Sequence, residues 1–273
     1  PGDATHLTRQ ALHQGSSVIV AVGGDGTINE VVNGFFEGAS RISPSARLGI
    51  LPTGTGSDFI KTAGIPSDLE AAIEILHASE GFDCDLGRVT YTTMGGEEAC
   101  RYFINIADFG IGGAVIERIN RKSKALGGFL SYLWNSIVTL THFAPPRIRF
   151  RIDDHAWKEL PLMIGVVANG RFFSGGLQVA PMATLNDGRF DLILIEPFGM
   201  LEFFKYLPRF YLGIGKRNPY EKMFKAHHFP IERLEARSRA TVLIDIDGEQ
   251  PGRLPARFEI VPAAIRLLAP LPG

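Results

Sequence analysis

Hydrophobic and polar positions divide the chain into two stretches of different rhythm. A helical pattern runs from Asp3 to Gln14 and stops near Gly15. Val18-Ile19-Val20-Ala21-Val22 follows as an unbroken apolar run, the pattern of a strand buried on both faces. Thr27 to Phe36 reads as a helix, and Leu48-Gly49-Ile50-Leu51 as a second short strand closed by Pro52. Another helix is expected from Ser57 or Asp58, and a third from about Asp68 to Ser79, with Leu69, Ile73 and Leu76 on one face. Strands alternating with helices predict βα units and an α/β domain with a parallel sheet. Such a domain rarely opens on a lone helix, so a further strand and helix are expected upstream of Pro1.

The rhythm changes after Gly81. Asp83–Thr93, Arg101–Ala107, Arg147–Asp153, Leu162–Ala168, Arg189–Glu196, Ala240–Ile246 and Phe258–Leu268 all read as strands. Gly95-Gly96, Asp153-Asp154, Asn186-Asp187-Gly188 and Pro262 supply turn signals between them. This predicts an antiparallel β-rich domain, a sandwich, with helical insertions at Ala125–Phe143 and Gly199–Gly213. The boundary is placed near Gly81 to Asp85, giving residues 1–83 as a nucleotide-binding α/β domain and 84–273 as the β-sandwich domain.

Composition narrows the classes. A chain of 273 residues with 45% hydrophobic and 21% charged residues can build an ordinary globular core. A net charge of −1 offers no global field for nucleic acid. Cys84 and Cys100 match neither a metal spacing nor a disulfide framework, which suits a reducing cytoplasm. From Ala125 to Pro146 formal charge is absent apart from the titratable His142. Scattered Ser, Asn and Thr, with apolar residues at three- and four-residue spacing, make this stretch an amphipathic helix rather than a span. Arg118, Arg121, Lys122 and Lys124 precede it, and Phe203 to Tyr211 mixes aromatics with Lys205 and Arg209. Bases beside amphipathic surface predict peripheral contact with an anionic membrane.

The candidate chemistry begins at Gly23-Gly24-Asp25-Gly26-Thr27, between a strand and a helix. A helix N-terminus offers free N–H groups to an anion, and glycines let the backbone approach it. The P-loop is excluded because no lysine occurs between Pro1 and Arg47. The dinucleotide fingerprint is excluded because Asn29 stands where its third glycine belongs. Asp25 would repel a bare phosphate but suits one carrying Mg²⁺. A second loop, Leu51 to Phe59, repeats the construction with Thr53, Gly54 and Thr55 ahead of another helix. Either loop alone is an ordinary turn; two at the ends of neighbouring strands make a phosphate site.

Gly23 to Gly34 followed by Leu51 to Phe59 resembles the diacylglycerol kinase catalytic domain family, which also holds bacterial soluble lipid kinases, sphingosine kinases and ceramide kinases. The resemblance continues through Phe103-Ile104-Asn105, Gly110-Ile111-Gly112, Ser174-Gly175-Gly176, Ala180-Pro181, Asp187 to Asp191 and Asp247-Gly248-Glu249. It covers the chain in order and implies the same two-domain fold, MgATP as cofactor and a lipid alcohol as acceptor. Two departures are Ser57, where asparagine is usual, and Ser174, where glycine is common. The family's opening strand and its Asn-Pro turn are absent from the chain.

The resemblance also assigns roles. Gly23, Gly24, Asp25, Gly26, Thr27, Glu30, Thr53, Gly54 and Thr55 hold the nucleotide, Asp247 is the general base, Glu249 supports it, and Asp25 organises the metal. Asp187 would hold a structural Mg²⁺ with carbonyls of Thr184 and Arg189. Asp245, Asp247 and Glu249 alternate along a strand, so one shared face is expected, where crowding raises carboxylate pKa values. The expected place is the cytoplasm with peripheral membrane association; a homodimer and the identity of the lipid are left open. Two rivals stand beside a lipid kinase. One is an NAD kinase-like enzyme, which shares the glycine-aspartate-glycine loop, and the other a catalytically silent lipid- or nucleotide-binding regulator.

Overall fold

The computed structural model of the chain describes residues 2–54, 57–121, 129–205 and 225–270. Helix α1 (Asp3–His13) packs on α2 (Asp25–Gly34). A Cβ on Gly34 would lie 2.4 Å from Thr8 Cβ, so the contact depends on a glycine there. Strands β1 (Val18–Gly23) and β2 (Arg47–Pro52) pair in parallel from Val18↔Arg47 to Gly23↔Pro52. Both predicted loops therefore leave the same end of two adjacent strands. Short helix α3 (Asp58–Ala63) follows the second loop, and α4 (Leu69–Ala78) begins at Asp68, whose carboxylate accepts the Ala71 N–H.

The remaining chain is mainly strand: β3 (Phe82–Thr93), β4 (Glu98–Phe103) and β5 (Ile106–Gly110), then helices α5 (Ile111–Arg121) and α6 (Phe129–His142). Then come β6 (Arg147–Ile152), β7 (Lys158–Pro161), β8 (Ile164–Ala168) and β9 (Phe190–Ile195). A helical segment at 200–205 precedes β10 (Ala226–Ile231), β11 (Arg233–Ser238), β12 (Leu243–Ile246) and β13 (Glu249–Leu267). These thirteen strands form one sheet with the path β10-β9-β8-β5-β12-β13-β11-β6-β7, from which β1, β2, β3 and β4 branch.

Strand β13 joins the two parts. Its first half pairs antiparallel with β12, β11 and β3, and its end pairs parallel with β2 through Arg266↔Arg47 and Leu267↔Leu48. Parallel pairing is confined to β1–β2 and this short contact; the rest of the described sheet is antiparallel. One core, with Phe35, Phe59, Leu48 and Ile50, lies between β1–β2 and their helices. A second fills the curled antiparallel sheet around Phe103, Phe109, Phe190 and Phe258. The Phe103 and Phe190 rings stack at 5.5 Å between centroids. Each such buried ring is worth about 1.5–3 kcal/mol.

Several local expectations need correcting. Among the described residues β1 pairs only with β2, and Val20 and Val22 are exposed rather than buried on both faces. Helix α2 begins at Asp25, two residues before the apolar pattern suggests, so the acidic residue lies in its first turn. The predicted Arg101–Ala107 strand is two strands broken at Ile104-Asn105. β7 and β10 lack a clean apolar alternation, whereas β11 alternates at Leu234 and Ala236 but is not among the predicted strands. Of the two predicted insertions, residues 125–128 and 206–213 lie outside the described residues. No helix among the described residues is long and apolar enough to cross a membrane.

Candidate active site

The loops that leave β1 and β2 touch each other. A Cβ on Gly54 would lie 2.4 Å from Gly24 Cα and 2.7 Å from Gly24 N. The Thr53 N–H donates to the Gly23 carbonyl at 3.2 Å, and Thr27 packs over Gly23 so closely that a Cβ there would meet its hydroxyl at 2.5 Å. Gly23, Gly24, Gly26 and Thr27 thus sit beside Thr53 and Gly54, as a shared anion site requires; Thr55 lies outside the described residues.

Asp25 ties the loops together from one side. Its carboxylate accepts the backbone N–H groups of Asp58 at 3.0 Å and Phe59 at 3.2 Å, the first turn of α3. Ser57, one of the two residues from which this helix is expected to start, makes no side-chain cap bond; it sits in left-handed conformation and donates to the Gly54 carbonyl at 3.0 Å. The cap of α3 is therefore borrowed from a loop more than thirty residues earlier. Burial raises the Asp25 pKa, with the two N–H bonds opposing. Asp58 in turn holds Lys61 at 2.7 Å and accepts the Gly175 N–H at 2.7 Å, which draws the Ser174-Gly175-Gly176 loop toward α3. Glu30 faces away: its carboxylate accepts the Ala4 N–H at 3.1 Å, filling an unpaired donor of α1.

The carboxylate predicted at the far end of the sequence reaches this same helix. Ile246 pairs with Glu249, leaving Asp247-Gly248 as a two-residue hairpin loop with φ of 49° and 87°. Positive φ at both positions is the requirement of a type I′ turn. Asp247 is thus on a turn, not on the strand that alternation implied. Its Oδ1 accepts N–H groups of Asn105 at 3.1 Å and Ile106 at 2.9 Å, and its Oδ2 accepts those of Ile104 at 3.0 Å and the Asn29 side-chain amide at 2.8 Å. The break between β4 and β5 exists to point those amides inward. Burial pushes the Asp247 pKa up to about 6, with the hydrogen bonds holding it lower than burial alone would.

Two residues that the sequence did not single out for chemistry complete this network. Asn29, fully buried, also donates to the Tyr102 carbonyl at 3.1 Å. Its side-chain oxygen Oδ1 accepts from Arg101 at 2.6 and 3.0 Å. Arg101 then pairs with Glu249 at 2.6 Å. Asn29 stands at the position that excludes the dinucleotide fingerprint; a glycine there would have no side chain to reach Asp247. Behind the turn, Asp245 lies directly opposite Asp108 on β5, and both are buried, at 8% and 1% exposure. Burial raises both pKa values first; the Asp247 charge then raises that of Asp245, to about 7, and the Asp245 charge raises that of Asp108.

Asp187 is exposed and one of its oxygens accepts the Arg189 N–H at 3.1 Å. Its other oxygen and nearby carbonyls are hard donors of the kind Mg²⁺ takes, so the predicted set of Asp187, Thr184 and Arg189 fits that ion chemically. Among the described residues no group of three or more His, Cys, Asp or Glu converges as a metal cluster. Of the predicted membrane-facing residues, Phe204 is exposed beside an 88% exposed Leu201, whereas Lys122, Lys124 and Tyr206–Tyr211 lie outside the described residues.

Residues 1–89 match the diacylglycerol kinase catalytic domain, and residues 105–269 the YegS C-terminal NAD kinase beta sandwich-like domain. The chain is 35% identical over 191 residues to "Probable lipid kinase YegS" of Salmonella schwarzengrund (strain CVM19633), covering 70% of this chain and 60% of that protein. It is 31% identical over 269 residues to "Probable lipid kinase YegS-like" of Klebsiella pneumoniae (strain 342), covering 98% and 83%. The fold is similar to that of a diacylglycerol kinase from Bacillus anthracis str. Sterne, with a TM-score of 0.69 at 19% identity over 98% of this chain and 81% of the other.

Proposed function

The chain belongs to the family of the diacylglycerol kinase catalytic domain and the YegS-type sandwich domain, and on that premise we propose that it transfers the γ-phosphoryl group of ATP to a hydroxyl of diacylglycerol or a related lipid. The observation that carries this reading is the hydrogen bond from Asn29 to Asp247. Asn29 lies one helical turn, about 6 Å, beyond Asp25 at the start of α2. A triphosphate held at that helix N-terminus therefore ends within reach of a carboxylate from the other half of the chain.

In this reading Gly23, Gly24, Gly26, Thr27, Thr53 and Gly54 cradle the phosphates with backbone N–H groups. Mg²⁺ on the nucleotide neutralises charge as the phosphoryl group moves. Asp25 keeps the two loops in register and faces that charge, and Asp187 with the carbonyls of Thr184 and Arg189 would hold a second, structural Mg²⁺. Asp247 accepts the proton of the lipid hydroxyl. A pKa near 6 leaves it ionised at neutral pH yet more basic than an exposed aspartate. The division into a nucleotide-binding unit of residues 1–83 and a lipid-binding sandwich of 84–273 belongs to the same proposal.

A specific observation favours a second assignment of the base. Asp247 already accepts four N–H bonds and must release one to take a proton, whereas among the described residues Glu249 has one oxygen without a hydrogen-bond donor beside its ion pair with Arg101. In that version Asp247 organises the site and Glu249 takes the proton.

The deciding experiment is transfer of labelled γ-phosphate to a panel of diacylglycerol, monoacylglycerol, phosphatidylglycerol and sphingoid bases in neutral detergent micelles, with nicotinamide dinucleotide as a control. Labelling of at least one lipid supports the proposal. Labelling of the dinucleotide alone, or of nothing while ATP binds, overturns it.

A further inference from the structure

Away from the loops, the outer edge of the sheet carries a concentrated positive face. On β6, Ile148 and Phe150 are buried while Arg147 and Arg149 point out; on β11, Ala236 is buried and Arg237 points out. The register sets Arg149 directly opposite Arg237, a like-charge pairing that weakens a sheet. The Trp157 ring gathers the guanidinium groups of Arg237, Arg149 and Arg151 at 4.1, 5.3 and 5.3 Å. Arg147 is paired with Glu159 and Arg151 with Glu235, but Arg149, Arg237 and Arg239 form no ion pair among the described residues. Five arginines therefore face two glutamates here, in a chain whose overall net charge is −1.

Arg147, Arg149, Arg237 and Arg239, with Glu159 among them, line an open groove of about 510 Å³. The groove shares Ala240 with a cleft of about 330 Å³ whose walls include Met94, Phe143, Pro146, Val242 and Leu243. Leu243 begins β12, the strand that ends at Ile246, one residue before Asp247. Planar guanidinium groups held in place by an aromatic ring are suited to phosphate oxygens, and tryptophan favours the boundary between apolar and wet surroundings. Apolar side chains such as Met94, Phe143 and Val242 beside the arginines, with Glu117 and Thr241 also in the cleft wall, place apolar surface next to phosphate contacts as a bilayer does with acyl chains and headgroups.

We propose that this arginine–tryptophan face docks the protein on an anionic phospholipid bilayer, with headgroup phosphates held by Arg149, Arg237 and Arg239. The proposal rests on the lipid-kinase reading only for its purpose, and the two fail separately. The test is co-sedimentation of the whole chain with phosphatidylcholine vesicles, with and without phosphatidylglycerol, at low and high salt. The wild type is expected to bind only the anionic vesicles and to be released by salt. Replacing Arg149, Arg237 and Arg239 by serine should weaken binding by about fivefold per arginine, about 10²-fold in all. The corresponding lysine variants should retain most of it. Phosphorylation of lipid in neutral micelles should be unchanged in the serine variant, while phosphorylation in anionic vesicles falls. Equal vesicle binding by wild type and serine variant would overturn the proposal, as would loss of binding in both the serine and the lysine variants. Saturable binding of glycerol phosphate without vesicle binding would make this a small-anion site instead.

Discussion

The side-chain amide of Asn29 donates to Asp247 over 2.8 Å, although 218 residues separate them. One end of this bond belongs to the helix that follows the glycine loop, and the other to a hairpin turn near the end of the chain. Arg101 grips the opposite side of the Asn29 amide and reaches Glu249, so four residues from three segments move as one unit. Replacing Asn29 by alanine removes a donor from Asp247 and leaves the Tyr102 carbonyl and Arg101 without it. We predict a loss of about 1–3 kcal/mol in unfolding free energy. Turnover should also fall, and its acidic limb should move to higher pH because Asp247 loses a bond that favours its charged form. Denaturant titration and a pH–rate profile check the two halves of this prediction.

The acidic limb itself identifies the base. With an Asp247 pKa of about 6, turnover should drop tenfold per unit as pH falls below that value. Asp247→Asn should cut turnover on the order of 10²-fold or more and abolish the limb. If Glu249→Gln abolishes the limb while Asp247→Asn leaves it in place, proton acceptance belongs to Glu249.

The contact between the two loops makes Gly54 sensitive to a single methyl group. Gly54→Ala would drive a Cβ to 2.4 Å from Gly24 Cα and separate the loops. The KM for ATP should rise by about tenfold or more, since small displacements of positioning groups are costly. The KM for lipid should change little. Equal effects on both would assign Gly54 to folding rather than to the nucleotide.

Asp108 and Asp245 predict an unusual pH dependence of stability. Burial raises both pKa values above the 3.8 of an exposed aspartate, so the folded state holds protons that the unfolded state releases. Their contribution is fully present below about pH 4; that of Asp245 is lost as pH rises through about 7, and that of Asp108 is likewise lost only above the ordinary aspartate range. Asp245→Asn, which mimics the protonated form, should leave Tm unchanged near pH 4 and raise it at pH 8. The rise should be about 2–4 °C for each kcal/mol relieved in a chain of this size. A uniform shift at both pH values would contradict the assignment.

Much of the site was legible along the chain. The glycine loop, the hydroxyl-rich loop after β2 and the closing Asp247-Gly248-Glu249 are local patterns, and loop chemistry is written in adjacent residues. The start of a helix at about Asp68 and most strands of the sandwich were legible for the same reason. Roles that depend on distant partners were not. Asp25 caps α3 in place of Ser57, Glu30 serves α1, and Asn29 and Arg101 join the carboxylate network only because β13 runs from the Asp247-Gly248 hairpin back to β2.

Local order along the chain thus settled which segments become loops, helices and strands, because backbone preferences and apolar periodicity act over a few residues. Tertiary structure decided which carboxylates are buried, which are tethered and which remain free to act. Those properties follow from burial and from hydrogen bonds across the sheet, and neither is encoded in any short stretch. The arginines gathered on Trp157 are the plainest case: apart in sequence they are solvated charges, and only the register of β6 with β11 makes them a surface.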